Sequence, residues 1–311
     1  MGQLDAGART IVNTCMKVRK NEEVLIFTDE PRLEISKAIS EAAHEITDRV
    51  TQMILTDEIR PVIRLNEIHK AAIKKADVVL TPFEGIPAET PFRLSLIDYA
   101  VKNKARLGHM PGVEKRMLID GGLKGDYNDV KQTSASMIKK LKNKTELHIT
   151  APGGTDLTVK LGKRKWIQDT GLYHKPGIWG NLPAGEIFIA PLENGIDGRL
   201  VVDGSIGFFG LPSHPIDIQV QRGRIISINC NDKKMEKTLK NLIFKETDQN
   251  AQIVGELGIG TNRFARLTGN LLEDEKVFDT AHIAFGDNNN MGGKNKSKIH
   301  IDMIFKKPEI K

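Results

Sequence analysis

At 311 residues, with 39% hydrophobic and 28% charged side chains, the chain has the make-up of a folded water-soluble protein and room for two domains or one large one. Its formal charge of +6 comes from 46 Lys and Arg set against 40 Asp and Glu. The excess is mild, and the densest basic stretch, 139–144, contains no aromatic residue for base stacking, so neither a nucleic-acid partner nor a membrane partner is expected. Cys15 and Cys230 lie far apart and form no CxxC cluster, which excludes a disulfide framework and a thiolate metal site and leaves them as small core residues. Residues 1–20 carry Asp5, Arg9 and Lys17 where a signal peptide is apolar, and no run reaches membrane-spanning length. The expectation is a cytoplasmic protein, in which the sequons at Asn143 and Asn295 have no meaning.

In chain order, 4–18 reads as an amphipathic helix, 24–27 as a short apolar strand, and 33–43 as a helix with Leu33, Ile35, Ile39, Ala42 and Ala43 on one side. Strand at 50–55, helix at 67–74, strand at 77–80, helix at 92–101 and strand at 105–108 continue the alternation. Short apolar strands alternating with helices predict a parallel sheet covered by helices. A helix from Val130 ends in lysines and asparagine near 140–144, where the domain boundary is placed: an N-terminal α/β domain over 1–143 and a β-rich α+β metal-binding domain over 144–311. Beyond it the expected strands are 147–150, 157–161, 187–190, 200–203, 216–220, 281–285 and 299–305, with one helix at 233–244. No repeat of 20 to 50 residues is visible.

In the last strand, His300 and Asp302 stand at i and i+2 among Ile299, Ile301 and Met303, which puts an imidazole and a carboxylate on one face. His282 is the only polar interior residue of the preceding strand, Thr280-Ala-His-Ile-Ala-Phe-Gly286. If those two strands are neighbours joined by a flexible loop over 287–298, the three side chains converge. Glu186 and Glu256 each sit in an apolar, glycine-bounded stretch, where a carboxylate either rises in pKa or pairs with a cation. Two His and three acidic residues without Cys suit zinc, cobalt, manganese or non-haem iron, as one ion or two. In a hydrolase such ions activate water, with a spare Glu as base; an iron enzyme needs two His and one carboxylate, which His282, His300 and Asp302 supply. A non-catalytic reading makes the metal a structural clamp.

The segments Asn181-Leu-Pro-Ala-Gly-Glu186, Gly255-Glu-Leu-Gly-Ile-Gly-Thr-Asn262, Leu272-Glu-Asp-Glu-Lys276, Thr280-Ala-His282 and Ile299-His-Ile-Asp302, in this order, resemble the aminopeptidase T and aminopeptidase S family of metallopeptidases. The resemblance runs from 150 to 305 and includes Ala151-Pro-Gly-Gly-Thr-Asp-Leu157. It implies a pair of divalent metals, removal of N-terminal residues from peptides, an N-terminal α/β domain, a metal-binding C-terminal domain and a homodimer. It also implies that Glu186, Glu256, His282, His300 and Asp302 hold metal; for a hydrolase of this kind Glu256 is the best candidate for base. The family's functional tyrosine after the first histidine is missing, and Asn289 stands nearest that place. The same superfamily contains an iron enzyme, 2,5-dihydroxypyridine dioxygenase, in which His109 would be a pocket base. A loop histidine is the plainer reading of His109, and Asp156 and His214 read as turn residues. The glycines of 255–260 have the wrong spacing for a dinucleotide fingerprint, and 287–292 lacks the closing Glu of a calcium loop.

Overall fold

The apolar runs of the first half become strands because their β-branched and aromatic residues pack on both faces, and the stretches between them carry helical periodicity. The computed structural model describes residues 2–311. α1 (Asp5–Arg9) runs into a π-helical turn, Thr10–Cys15, closed by the i→i+5 bond from Met16 N–H to the Ile11 carbonyl. The helix expected over 4–18 is therefore more loosely wound in its second half. β1 (Val24–Asp29), α2 (Leu33–His44), β2 (Val50–Leu55), α3 (Glu67–Lys75), β3 (Val78–Phe83), α4 (Thr90–Lys102) and β4 (Arg106–Pro111) then alternate as predicted. α3 is started by a capping box in which Asn66 accepts from the His69 N–H and the His69 ring accepts from the Asn66 N–H. All residues of β1 and β3 are buried, as central parallel strands require.

After α5 (Lys115–Ile119) and α6 (Tyr127–Leu141) come β5 (Glu146–Thr150), β6 (Asp156–Lys160), β7 (Ile167–Asp169) and β8 (Trp179–Asn181). The chain continues through β9 (Glu186–Ile189), β10 (Ile196–Val202), β11 (Ile216–Gln221), β12 (Arg224–Cys230), α7 (Lys233–Ile243), β13 (Val254–Gly260), α8 (Leu271–Asp274), β14 (Thr280–Gly286), β15 (His300–Lys306) and β16 (Glu309–Ile310). Two compact units result, and their limits differ from the expected boundary. One comprises residues up to Asp129 together with Asp169–Ala184, and the other comprises Val130–Gln168 and Gly185–Lys311. The reason is local: β8 returns to the first unit and pairs in parallel with β4, completing the sheet β2-β1-β3-β4-β8, while most of α6 belongs to the second.

The second unit is built on two antiparallel sheets, β12-β11-β10-β6-β5-β16 and β15-β14-β13-β9-β7. Alternate residues of both enter one core, among them Ile149, Leu200, Ile218, Leu257, Ile283 and Met303, with Leu239 and Ile243 of α7 added. The opposite face of the second sheet is left for polar side chains. Among the described residues no helix is long and apolar enough to cross a membrane.

Candidate metal centre

β9, β13, β14 and β15 lie side by side in antiparallel register, and each sends one or two ligand-type side chains to the face away from the core. Across the strands the register pairs Glu186 with Gly260, Glu256 with Ala284, His282 with Gly258, Asp302 with Ala284 and His300 with Gly286. Apart from Ile304, which pairs with His282 from the β15 side, these partners carry at most a methyl group, which clears space above the sheet.

A one-residue bulge sets the face of Glu256. The β13–β14 register shifts between Val254 and Glu256, leaving Gly255 as the extra residue. Val254 and Leu257 consequently both enter the core although three residues apart, and Glu256 turns to the polar side. Glu186 enters β9 directly after Gly185, whose φ of +126° is open to glycine alone.

The side chains converge closely. His282 Nε2 lies 3.3 Å from Glu256 Oε1, 3.7 Å from Glu186 Oε2 and 3.9 Å from Asp302 Oδ1. His300 Nε2 is 3.4 Å from both Glu256 Oε2 and Asp302 Oδ1. The His300 Nδ1–H donates to the Asp287 carbonyl at 2.7 Å, which fixes the tautomer and turns Nε2 toward the carboxylates. Burial works against the charge on both histidines, but the surrounding carboxylates outweigh it. His282 is raised to about 9 by Glu256, Asp302 and Glu186, and His300 is raised by Asp302 and Glu256. Burial likewise works to raise Glu256 and Asp302, and the two imidazoles overcome it and hold both below the usual carboxylate range. Glu186 behaves differently: burial pushes it up to about 8 against the pull of Lys276 and His282.

Two residues that sequence reasoning left without a role complete the arrangement. Lys276 Nζ is 2.5 Å from Glu186 Oε1 and 2.6 Å from Glu275 Oε1. The segment Leu272-Glu-Asp-Glu-Lys276 carried the resemblance, and the signal was an acidic–basic pair inside it. α8 and the turn after it fix this pair: the Lys276 N–H donates to the Glu273 carbonyl, and the Lys276 carbonyl accepts from Asn262 N–H.

The remaining candidates fall elsewhere. Asn289 lies exposed in the short turn Asn289–Met291, its N–H donating to Asp287 Oδ1. The 287–298 loop expected to be flexible is tied internally. Asn295 donates from its N–H to Asn288 Oδ1 and from its side chain to the Gly286 carbonyl, while Asp287 accepts from Ser297 N–H. His109 is buried in β4 of the first unit, its Nδ1 2.7 Å from Thr81 Oγ1, so it is a core histidine and not a loop one. Burial, with the nearby charge of Arg93, lowers it to about 3. Asp156 opens β6 instead of forming a turn, and its carboxylate meets His148 Nε2 at 2.7 Å. His214 lies exposed in a bend between β10 and β11.

The residues fit a divalent cation. Ligand atoms about 2.1 Å from a tetrahedral ion stand about 3.4 Å from one another, which matches the His282–Glu256, His300–Glu256 and His300–Asp302 separations of 3.3, 3.4 and 3.4 Å. Glu186 Oε2 and His282 Nδ1 are also buried without a hydrogen-bond partner, a cost that a bound ion at Glu186 would relieve.

Known proteins resemble the chain in sequence and in fold. Residues 124–311 match the family model described as thermophilic metalloprotease (M29). The 2,5-dihydroxypyridine 5,6-dioxygenase of Pseudomonas putida KT2440 is 24% identical over 184 residues, covering 55% of this chain and 51% of that protein. Aminopeptidase AmpS of Bacillus subtilis 168 is 29% identical over 163 residues, covering 50% of this chain and 38% of that protein. The aligned region thus spans about half or less of these relatives. Two solved structures share the fold. A 2,5-dihydroxypyridine dioxygenase from P. putida KT2440 has a TM-score of 0.77 at 19% identity, covering 100% of this chain and 94% of that one. AmpT from Thermus thermophilus has a TM-score of 0.70 at 16% identity, covering 99% and 94%. A matched stretch that includes every strand of the polar sheet face shows that the chain belongs to the thermophilic metalloprotease (M29) family.

Proposed function

We propose that the protein is a metal-dependent hydrolase that removes N-terminal residues from small peptides or cleaves a related amide. The observation that carries this reading is the convergence of Glu256, His282, His300 and Asp302 at ion-ligand spacing beside a buried Glu186 with one oxygen unpartnered. Glu256, His300 and Asp302, with His282, would hold a divalent cation such as zinc, cobalt or manganese. Such an ion supplies Lewis acidity and makes water nucleophilic near neutral pH. Proton transfer suits Glu186 better than Glu256, to which the sequence assigns it. Both oxygens of Glu256 face histidines, whereas Glu186 Oε2 has no hydrogen-bond partner and burial raises the carboxyl toward neutral pH. Lys276 holds Glu186 Oε1 and so aims the other oxygen at the space above the sheet.

The test is release of free amino acid from short peptides and aminoacyl anilides by chelator-treated protein reloaded with each metal in turn. Hydrolysis restored by zinc, cobalt or manganese supports the reading. A second reading, iron-dependent cleavage of a dihydroxylated ring, is favoured by the set His282, His300 and Asp302, in which each imidazole lies within 3.9 Å of the carboxylate, and by the name of one relative. Oxygen uptake on such a ring by the iron form, with no amide cleavage by any form, would replace the first reading with the second. The homodimer implied by the resemblance is part of the proposal and is tested by sedimentation at two concentrations.

A further inference from the structure

β15, which carries His300 and Asp302, lies at the edge of its sheet, and the segment 204–207 covers that edge. Gly204 N–H donates to the Ile304 carbonyl, Ile304 N–H to the Ser205 carbonyl and Gly207 N–H to the Asp302 carbonyl, each at 2.9 Å. Ile206 stands opposite Met303 and enters the core with it. The next position, Gly207, therefore faces the polar side with Asp302, and a Cβ there would lie 3.3 Å from Leu271 Cδ2 and 3.6 Å from the Asp302 nitrogen. A tight turn over 207–209 follows, closed by hydrogen bonds between Ile206 and Gly210, with Phe208 at its tip. Because the segment runs antiparallel to β15, it carries this tip toward the His300 end of the strand. Phe208 has a φ of +66°, a region that suits glycine or asparagine, and it is 72% exposed. An aromatic side chain held in a strained backbone and turned to water gains nothing from packing in return. Two further apolar side chains lie close by: exposed Leu211, which follows the turn and rests against Gly269, and half-buried Leu271 at the start of α8.

Resting on the reading of Glu256, His282, His300 and Asp302 as a metal centre, we propose that Phe208, with Leu211 and Leu271, forms an apolar subsite beside it for the hydrocarbon chain of a ligand whose polar end lies at the centre. The centre itself is built of carboxylates and imidazoles and offers a hydrocarbon chain nothing to pack against, so preference for such a chain has to come from a neighbour. The turn is that neighbour, because three backbone hydrogen bonds tie it to the strand that holds His300 and Asp302. The His300 side chain is 30% exposed, so the centre is open to a ligand. Covering the ring and the two leucines with a ligand's methylenes removes apolar surface from water on both sides, and that gain offsets the conformational cost at Phe208. For the hydrolase proposed above, the substrate class is then peptides with a large apolar residue at the cleaved end.

The experiment measures binding and not turnover. Full-length protein loaded with zinc is titrated by calorimetry with acetohydroxamate, butanohydroxamate and hexanohydroxamate, which share a metal-binding head and differ only in methylenes. Affinity is expected to rise roughly twofold or more per methylene in the wild type and in Phe208→Leu, which keeps an apolar side chain. In Phe208→Asn, which suits the backbone and removes the ring, the rise should vanish while acetohydroxamate binds as in the wild type. The metal-free form of Phe208→Asn should melt at or above the wild-type temperature, because the strain is relieved and no packing is lost. No dependence on chain length in the wild type, or the same dependence in Phe208→Asn, would overturn the proposal and leave the metal centre standing. A lower melting temperature would make the ring a packing residue, and a wild-type dimer that becomes a monomer in Phe208→Asn would assign it to an interface between copies; either result overturns the subsite. No bound zinc and no hydroxamate binding on folded wild type would remove the metal-centre reading, and the subsite with it.

Discussion

Gly258 lies opposite His282 in the β13–β14 pair, and the imidazole rests where a side chain at 258 would project: a Cβ there would come within 2.0 Å of Nε2 and 2.1 Å of Cε1. Gly258 is therefore what allows His282 to reach across toward Glu256. Gly258→Ala should displace the ring and cost about 1–3 kcal/mol of stability through overpacking. Metal affinity should fall roughly 10-fold or more, as expected when one ligand is misplaced. Thermal unfolding with and without metal checks both parts. A variant with unchanged melting temperature and unchanged affinity would show that the ring has another place to go.

Glu186 and Glu256 are separated by what their substitution should do. Glu186→Gln keeps the shape and removes the carboxyl that would transfer the proton, so kcat should drop roughly 10²- to 10⁴-fold with bound metal near the wild-type level. Glu256→Gln should lose metal, because both of its oxygens face histidines at 3.3 and 3.4 Å. Elemental analysis beside steady-state kinetics separates these outcomes. Metal lost in Glu186→Gln and retained in Glu256→Gln would exchange the two roles.

The contrast between these glutamates shows where the sequence was readable. The alternation of His300 and Asp302 with Ile301 and Met303 predicts a polar face and a core face, and the strand delivers both because period 2 leaves no other arrangement. The strand around Glu256 was not legible. Its three glycines fit no strand pattern, and only contacts with other segments explain them: Gly255 is the bulge, Gly258 clears His282, and a Cβ on Gly260 would meet the Val277 carbonyl at 1.9 Å. The same holds for β8, three residues long, whose pairing with β4 depends on a return of the chain that no local pattern encodes. Lys276 was visible as a residue and invisible as a partner of Glu186, 90 positions away. Local periodicity carried the elements, and contacts distant in sequence carried the site.

His109 provides a pH test within the first unit. Burial first, and Arg93 second, hold it at about 3 against 6.5 in the unfolded chain. Its contribution to stability is therefore complete above about pH 6.5, declines as the pH falls while only the unfolded chain takes up the proton, and is gone below about 3. The slope in that window is at most about 1.4 kcal/mol per pH unit. His109→Gln should remove this part of the acid sensitivity. Denaturant melts of wild type and variant at pH 7, 5.5 and 4 give the difference, and equal slopes would mean that His109 finds a proton without unfolding.

Arg60 tests the charge balance of the same unit. Its guanidinium, 4% exposed, lies 3.1 Å from Asp29 Oδ2 and 2.7 Å from Glu89 Oε2, with those side chains 0% and 2% exposed. Glu89 also receives the Arg60 Nε–H at 3.0 Å and the Val62 N–H at 3.1 Å. Asp29 Oδ1 has no hydrogen-bond partner at all, and burial raises its pKa despite Arg60. Removing the arginine leaves two buried carboxylates facing each other's field, which costs about 3–5 kcal/mol, whereas removing the whole set costs far less. Arg60→Met should therefore be strongly destabilising, and adding Glu89→Gln should recover part of the loss. The coupling in this double-mutant cycle is expected at about 1–3 kcal/mol, and Asp29, which keeps the Glu84 N–H but loses the adjacent guanidinium, accounts for the part that is not recovered. Additive effects would mean that Glu89 takes its counter-charge from Arg93, which also acts on it, and not from Arg60.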